Sequence, residues 1–247
     1  MNGKGRKEGL DYIVFPLDFP DMETASDYVR KLDGHVGMFK IGLELFIQEG
    51  PSVVRQIREQ TDAQIFLDLK LHDISATVGR AMARVAELGV DLITVHTASS
   101  SRMLEMAVEG GGGKAGVLGV TLLTDNDAAA VEAGGFKTEY VSSPLELVML
   151  RARMAKAAGC AGVVCSGQEV EGIKAELGPE FLAVTPGIRP EWTLTANDDQ
   201  KRVTTPGRAV ALGSDYIVIG RPIRDAEDPV KAADMVAEEI DNALVNL

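Results

Sequence analysis

The stretch QIFLDLKLHDISATVGRAMARVAELGVDLITVH, residues 64–96, holds the pattern that decides the fold. It opens on an apolar run, QIFLDL (64–69), and passes through TVGRAMARVAELG, whose apolar residues recur at helical spacing. It closes on a second, β-branched run, LITVH (92–96). Strand, amphipathic helix and strand in that order make a βαβ unit with parallel strands, because the helix carries the chain back to the starting edge. The same rhythm continues outward. Upstream lie YIVFPL (12–17) and GMFKI (37–41); downstream lie GVLGVTL (116–122), GVVCS (162–166), FLAVT (181–185) and YIVIG (216–220). Helical patterns separate them: ETASDYVRKL, SVVRQIREQ, SRMLEMAVEGG, PLELVMLRARMAKAAG, SGQEVEGIKAELG and PGRAVALG. Several start at Ser, Thr or Pro and stop at Gly, as helix caps require. The alternations predict an α/β fold with a parallel sheet, and the length of 247 residues favours closure into a single-domain (β/α)8 TIM barrel.

Two connections break the rhythm. DNDAAAVEAGGFKTEYVSS (125–143) reads as a loop with a short added helix, and RPEWTLTANDDQKR (189–202) as a polar loop of the kind that serves as a functional lid. No Pro/Ser-rich linker divides the chain, so residues 1–10 read as a flexible N-terminal extension and 11–247 as the barrel domain. The net charge of −12 argues against nucleic acid or an anionic membrane as partner. No apolar run reaches the roughly 18 residues of a membrane span. The opening MNGKGRKEG is followed by no apolar segment, so no secretory leader is expected. Cys160 and Cys165 are too few for a disulfide framework or a metal site, and read as buried thiols of a cytoplasmic protein.

In such a barrel the active site forms at the C-terminal ends of the strands. There the chain carries Asp18, Lys40, Asp68 with Lys70, His96, Thr121 and Thr124, Ser166, Gly187 with Arg189, and Gly220 with Arg221. Turn residues are ordinary at strand ends; lysines and aspartates embedded in VFPLD, MFKIG and FLDLK are not, since charges in apolar strands are rarely buried unless paired. Asp68 and Lys70 stand two apart and so share a strand face. Asp73 lies just past them, and Lys40 comes from the neighbouring strand. The expected row, Lys40–Asp68–Lys70–Asp73, keeps each member ionised through its oppositely charged neighbours. A protonated lysine held beside a reacting carbon suits a decarboxylation that passes through a carbanion. His72 and Trp192 read as structural; His96 follows a strand, where a histidine can serve as a base but is more often a hydrogen-bonded core residue, and its role stays open. The glycine in IVIGRP lets backbone N–H groups approach an anion, and so points to phosphate.

The pattern Asp68-x-Lys70-x-x-Asp73 on a third barrel strand resembles the orotidine 5′-phosphate decarboxylase superfamily, in its bacterial single-function form. FPLDFP (15–20), FKIGLELF (39–46), TLLT (121–124), VVCSGQE (163–169), VTPGIRP (184–190) and DYIVIGRPI (215–223) resemble further family segments in the right order. The resemblance implies conversion of orotidine 5′-phosphate to UMP and CO2 in pyrimidine biosynthesis, with no metal and no cofactor. It implies that Lys70 gives the proton to C6 of the pyrimidine, that Asp68 lies against the substrate carboxylate, and that Lys40 contacts the ribose and Asp68. Asp18 would contact the ribose and Thr124 would lie near the base. Arg189, Gln200, Gly220 and Arg221 would gather the phosphate, with the register of Gln200 left open by its long loop. Asp73, Ile74 and Thr77 would reach into the partner's active site in a homodimer. The rival on the same scaffold is a metal-dependent sugar-phosphate decarboxylase or hexulose-phosphate synthase. Its metal needs an acid near the end of strand two, where this chain has Lys40 and only Glu44 nearby. A non-catalytic phosphate-binding barrel would have no reason to keep Lys40, Asp68 and Lys70 together.

Overall fold

The computed structural model describes residues 7–123, 126–193 and 204–245. Its strands are β1 (Ile13–Pro16), β2 (Met38–Gly42), β3 (Gln64–Leu71), β4 (Leu92–His96), β5 (Gly116–Val120), β6 (Gly162–Val164), β7 (Leu182–Thr185) and β8 (Tyr216–Val218). They pair in parallel in chain order and close, β8 against β1, into a barrel. Around it run α1 (Met22–Leu32), α2 (Leu43–Glu49), α3 (Ser52–Arg58), α4 (Ser75–Val85), α5 (Ser101–Gly111), α6 (Ala128–Ala133), α7 (Thr138–Ser142), α8 (Pro144–Ala157), α9 (Val170–Leu177), α10 (Pro206–Ala211), α11 (Arg221–Arg224) and α12 (Pro229–Val245). The expected barrel is present.

Local chemistry sets the helix ends. Asp21 caps α1 by accepting the Thr24 N–H at 2.8 Å, and Ser100 caps α5, which closes on Gly112 in the left-handed region. Several elements differ from the sequence reading. The connection from β2 to β3 holds two helices where the sequence pattern reads one, because Gly50 (φ 67°) and Pro51 interrupt the chain between α2 and α3. The insertion after β5 likewise forms two short helices, α6 and α7, split at Gly134–Gly135. SGQE (166–169) is a turn before α9, not its first residues: Ser166 N–H donates to the Glu169 carboxylate at 2.7 Å. The C-terminal helix α12, absent from the sequence reading, packs on α10, while the Gly9 N–H donates to Asp241 of that helix at 2.8 Å.

The core has two layers. Ile13, Phe15, Ile41, Ile65, Leu67, Ile93 and Val95 point outward against the helices. Val14, Met38, Phe66, Leu92, Leu118 and Val184 fill the barrel interior. Burying side chains of this size stabilises by about 1.5–3 kcal/mol each. Because side chains alternate along a strand, the interior residues place the positions two further on inside as well. Those positions are Pro16, Lys40, Asp68, Thr94, Val120 and Pro186. The lower layer of the barrel is therefore apolar packing and the upper layer is a site. Among the described residues no helix is long and apolar enough to cross a membrane.

Candidate active site

On the β1–β3 side the upper layer is a chain of ion pairs. Lys40 is 7 % exposed, and its Nζ lies 3.0 Å from Asp18 Oδ1 and 3.6 Å from Asp68 Oδ2. Lys70 Nζ lies 2.8 Å from Asp68 Oδ2. The order in space is thus Asp18–Lys40–Asp68–Lys70. Burial pushes the Asp68 carboxyl up, but Lys40, Lys70 and hydrogen bonds from Lys70 and Thr94 outweigh it and hold the group below the usual carboxylate range. Within the row only Lys40 and Asp68 are both largely buried, and removing Lys40 would leave the Asp68 charge uncompensated on that side, which costs about 3–5 kcal/mol in comparable cases. Gly42 keeps the row accessible: a Cβ there would stand 2.9 Å from Asp18 Oδ1 and 3.0 Å from Lys40 Nζ.

Lys70 reaches Asp68 by a route that strand alternation alone does not describe. Its φ of 50° is the only positive value at a described non-glycine residue. The β3–β4 register jumps there, from Leu67↔Ile93 to Leu71↔Val95. The result is a bulge, a feature that re-aims a side chain next to a site, and left-handed geometry of this kind costs an L-residue about 1–2 kcal/mol. The Lys70 N–H donates to Thr94 Oγ1 at 2.9 Å.

These groups line one side of a cavity of about 370 Å³, within the usual range for a small-molecule site. Its other side is apolar: Val120, Leu122, Leu123, Val164, Pro186 and Val218. A flat, partly apolar ring could lie against that wall with its reacting edge toward the charges. Beyond β7 and β8 the rim carries cations. Arg189 is buried, its Nη1 donating to the Ile188 carbonyl at 2.9 Å, and Arg221 is exposed at the start of α11. Gly220, which precedes it, packs so closely on β1 that a Cβ would stand 2.9 Å from Pro16 Cγ.

The family described as orotidine 5′-phosphate decarboxylase / HUMPS matches residues 11–236. The chain belongs to this family. It is 48% identical over 235 residues to an orotidine 5′-phosphate decarboxylase of Desulfosudis oleivorans, covering 95% of this chain and 94% of that one. It is 46% identical over 247 residues to the enzyme of that name from Syntrophus aciditrophicus, covering 96% of each. The crystal structure of orotidine 5′-phosphate decarboxylase from Lactobacillus acidophilus superposes with a TM-score of 0.79 at 34% identity, covering 92% of this chain and 98% of that one.

In this member of the orotidine 5′-phosphate decarboxylase / HUMPS family, Asp18, Lys40, Asp68 and Lys70 gather in one cavity. Asp73 does not extend the row within its own chain: its Oδ1 accepts the Ile74 N–H at 2.6 Å, and it forms no ion pair with Lys70 among the described residues. Asp73, Ile74 and Thr77 instead stand on the rim, with Ile74 71 % exposed. Thr124 and Gln200 lie outside the described residues. His96 is half-buried, its ring 5.5 Å from that of His72. Burial first, then the neighbouring His72, Lys70 and Arg151, push its pKa down against the opposing pull of Asp68.

Two contributors escaped the sequence reading. Thr94 was legible in principle, because it stands two after interior Leu92 on the lumen face of LITVH. Arg151 had no such signal: it looks like one charge of an amphipathic helix, yet it is buried, with Nη1 donating to the Thr121 carbonyl and its guanidinium 5.1 Å from the Phe136 ring. It braces the end of β5 from outside the barrel.

Proposed function

We propose that the chain decarboxylates orotidine 5′-phosphate to UMP and CO2, a step of de novo pyrimidine biosynthesis, and does so in the cytoplasm without metal or cofactor. The observation that carries this reading is the Asp18–Lys40–Asp68–Lys70 row facing an apolar wall in one cavity. The base lies on the apolar wall with its carboxylate toward Asp68. As the bond from C6 to the carboxylate breaks, CO2 leaves and the electron pair stays on C6. The Lys70 ammonium, fixed 2.8 Å from Asp68, stabilises that charge and then delivers its proton to C6. Preorganised charges of this kind need no reorientation as the carbanion develops, and the stress of one carboxylate on another adds to the effect. Lys40 and Asp18 hold the ribose. Thr124 lies by the base, and Arg189, Gln200, Gly220 and Arg221 hold the phosphate, which keeps the base in place.

The functional unit in this reading is a homodimer in which Asp73, Ile74 and Thr77 complete the site of the second subunit. The exposure of Ile74 and the absence of an Asp73–Lys70 pair within one chain support it. Metal independence is supported by the position of Lys40, whose ammonium stands between Asp18 and Asp68 where a divalent ion would otherwise draw on both carboxylates. Loss of orotidine 5′-phosphate absorbance, measured after dialysis against EDTA, tests the proposal. Full activity with stoichiometric CO2 is expected. Activity that vanishes and returns with Mg2+ would overturn metal independence, and no turnover of orotidine 5′-phosphate at all would favour the metal-dependent sugar-phosphate branch.

A further inference from the structure

Thr94 is fully buried in the middle of β4, and its hydroxyl touches both reacting partners of the charged row. It donates to Asp68 Oδ1 at 2.8 Å and accepts the backbone N–H of Lys70 at 2.9 Å. A hydroxyl has one proton to give, so a proton committed to Asp68 leaves a lone pair for the Lys70 N–H. The register explains why one side chain meets both. Between the pairs Leu67↔Ile93 and Leu71↔Val95, β3 holds Asp68, Leu69 and Lys70 while β4 holds Thr94 alone. The bulge leaves Lys70 in left-handed geometry, which persists only where the surroundings hold it.

We infer that Thr94 is a positioning residue for the decarboxylation: its hydroxyl fixes the Asp68 carboxylate and the Lys70 backbone in one mutual geometry. The inference rests on the proposed function above and extends it to a residue outside the charged row. Thr94→Val preserves the branched shape while leaving an oxygen of Asp68 without its donor and a backbone N–H without its acceptor. Small misplacements of reacting groups are costly, so kcat should fall about 10- to 100-fold. KM and UMP affinity should change less than about threefold, since the phosphate and base contacts do not involve Thr94. The groups facing Asp68 are Lys40 from β2, Lys70 from β3, and Thr94 and His96 from β4, with Asp18 beyond Lys40. Removing the Thr94 bond takes away one of the influences that lower the Asp68 pKa, so the acid limb of kcat should move to higher pH.

The experiment is kcat, KM and their pH profiles for wild type, Thr94→Val and Thr94→Ser, with active sites titrated by UMP. Thr94→Ser keeps the hydroxyl and should stay within about threefold of wild type. Equal losses in both variants, a loss confined to KM, or an unmoved acid limb would overturn the inference. Should Thr94→Val not fold, Thr94→Ala against Thr94→Ser carries the same comparison: a loss in the first alone supports the role, and equal losses reject it. A wild-type chain with no decarboxylase activity would instead defeat the proposed function, while an active wild type matched by Thr94→Val would defeat only this assignment.

Discussion

The strand ends of β1–β4 and those of β7–β8 border the same barrel mouth, yet they are built differently. In the first region Lys40, Asp68, Lys70 and Thr94 sit inside β2–β4, Asp18 just past β1, and they are tied to one another: Lys40 between two carboxylates, Lys70 on Asp68, Thr94 on both. In the second they follow the strands, on Arg189, Gly220 and Arg221. The first region holds its charges through contacts with one another, which suits a reaction that must meet developing charge with charges already in place. In the proposed function the second offers cations and close backbone to the phosphate of the substrate. In the proposed function chemistry and grip thus fall to two arcs of the rim that meet where β8 pairs with β1.

The largest effect is expected at the centre of the charged region. Lys70→Ala should lower kcat by about 10⁴-fold or more, since it removes both the charge beside C6 and the proton it receives. UMP binding should survive within a few-fold, and circular dichroism should report a folded barrel with a modestly lower melting temperature. A folded variant with near-normal turnover would remove Lys70 from the mechanism. Asp73→Asn is expected to cost less, about 10²-fold, and to do so across the subunit boundary. Mixed with Lys70→Ala under conditions of subunit exchange, it should restore activity toward about a quarter of wild type, because half of a random mixture is heterodimer and each heterodimer has one intact site. Verified exchange without recovery would confine Asp73 to its own chain.

The smallest effect concerns stability. His96 has a pKa lowered chiefly by burial, so below its unfolded value of about 6.5 the unfolded chain binds the proton that the folded one resists. Stability should therefore fall as pH drops from 7 toward 5, and His96→Gln should flatten that slope in urea titrations. For Asp68 the sign is the usual carboxylate one. Its depressed pKa contributes stability that is complete above its unfolded value of about 3.9 and is lost as pH falls through the lower folded value. An unchanged slope in His96→Gln would show that the acid sensitivity arises elsewhere.

The two regions also differed in how far the sequence revealed them. Charges in an apolar strand stand out against the two-residue period, so Lys40, Asp68 and Lys70 could be picked from MFKIG and FLDLK and assigned to one face. The barrel was equally readable from the eight alternating runs, down to LITVH matching β4 residue for residue. What pattern could not supply was the bulge at Lys70, since a positive φ at a lysine leaves no mark in composition. Thr94 was hidden for a different reason: a threonine in a β-branched run is also an ordinary strand former. The helical break at Gly50–Pro51 is visible in the letters, whereas buried Arg151 needs tertiary packing to appear.

The separation of chemistry from grip is tested most directly by Arg221→Ala assayed on two substrates, orotidine 5′-phosphate and orotidine. A charge-assisted contact to phosphate is worth a few kcal/mol, so kcat/KM on the phosphorylated substrate should fall by about 10²-fold. On orotidine, which has no phosphate to hold, the variant should match wild type, while Lys70→Ala abolishes turnover of both. Equal losses on the two substrates would mean that Arg221 supports the barrel rather than the phosphate, and that the two sides of the rim are not separate devices.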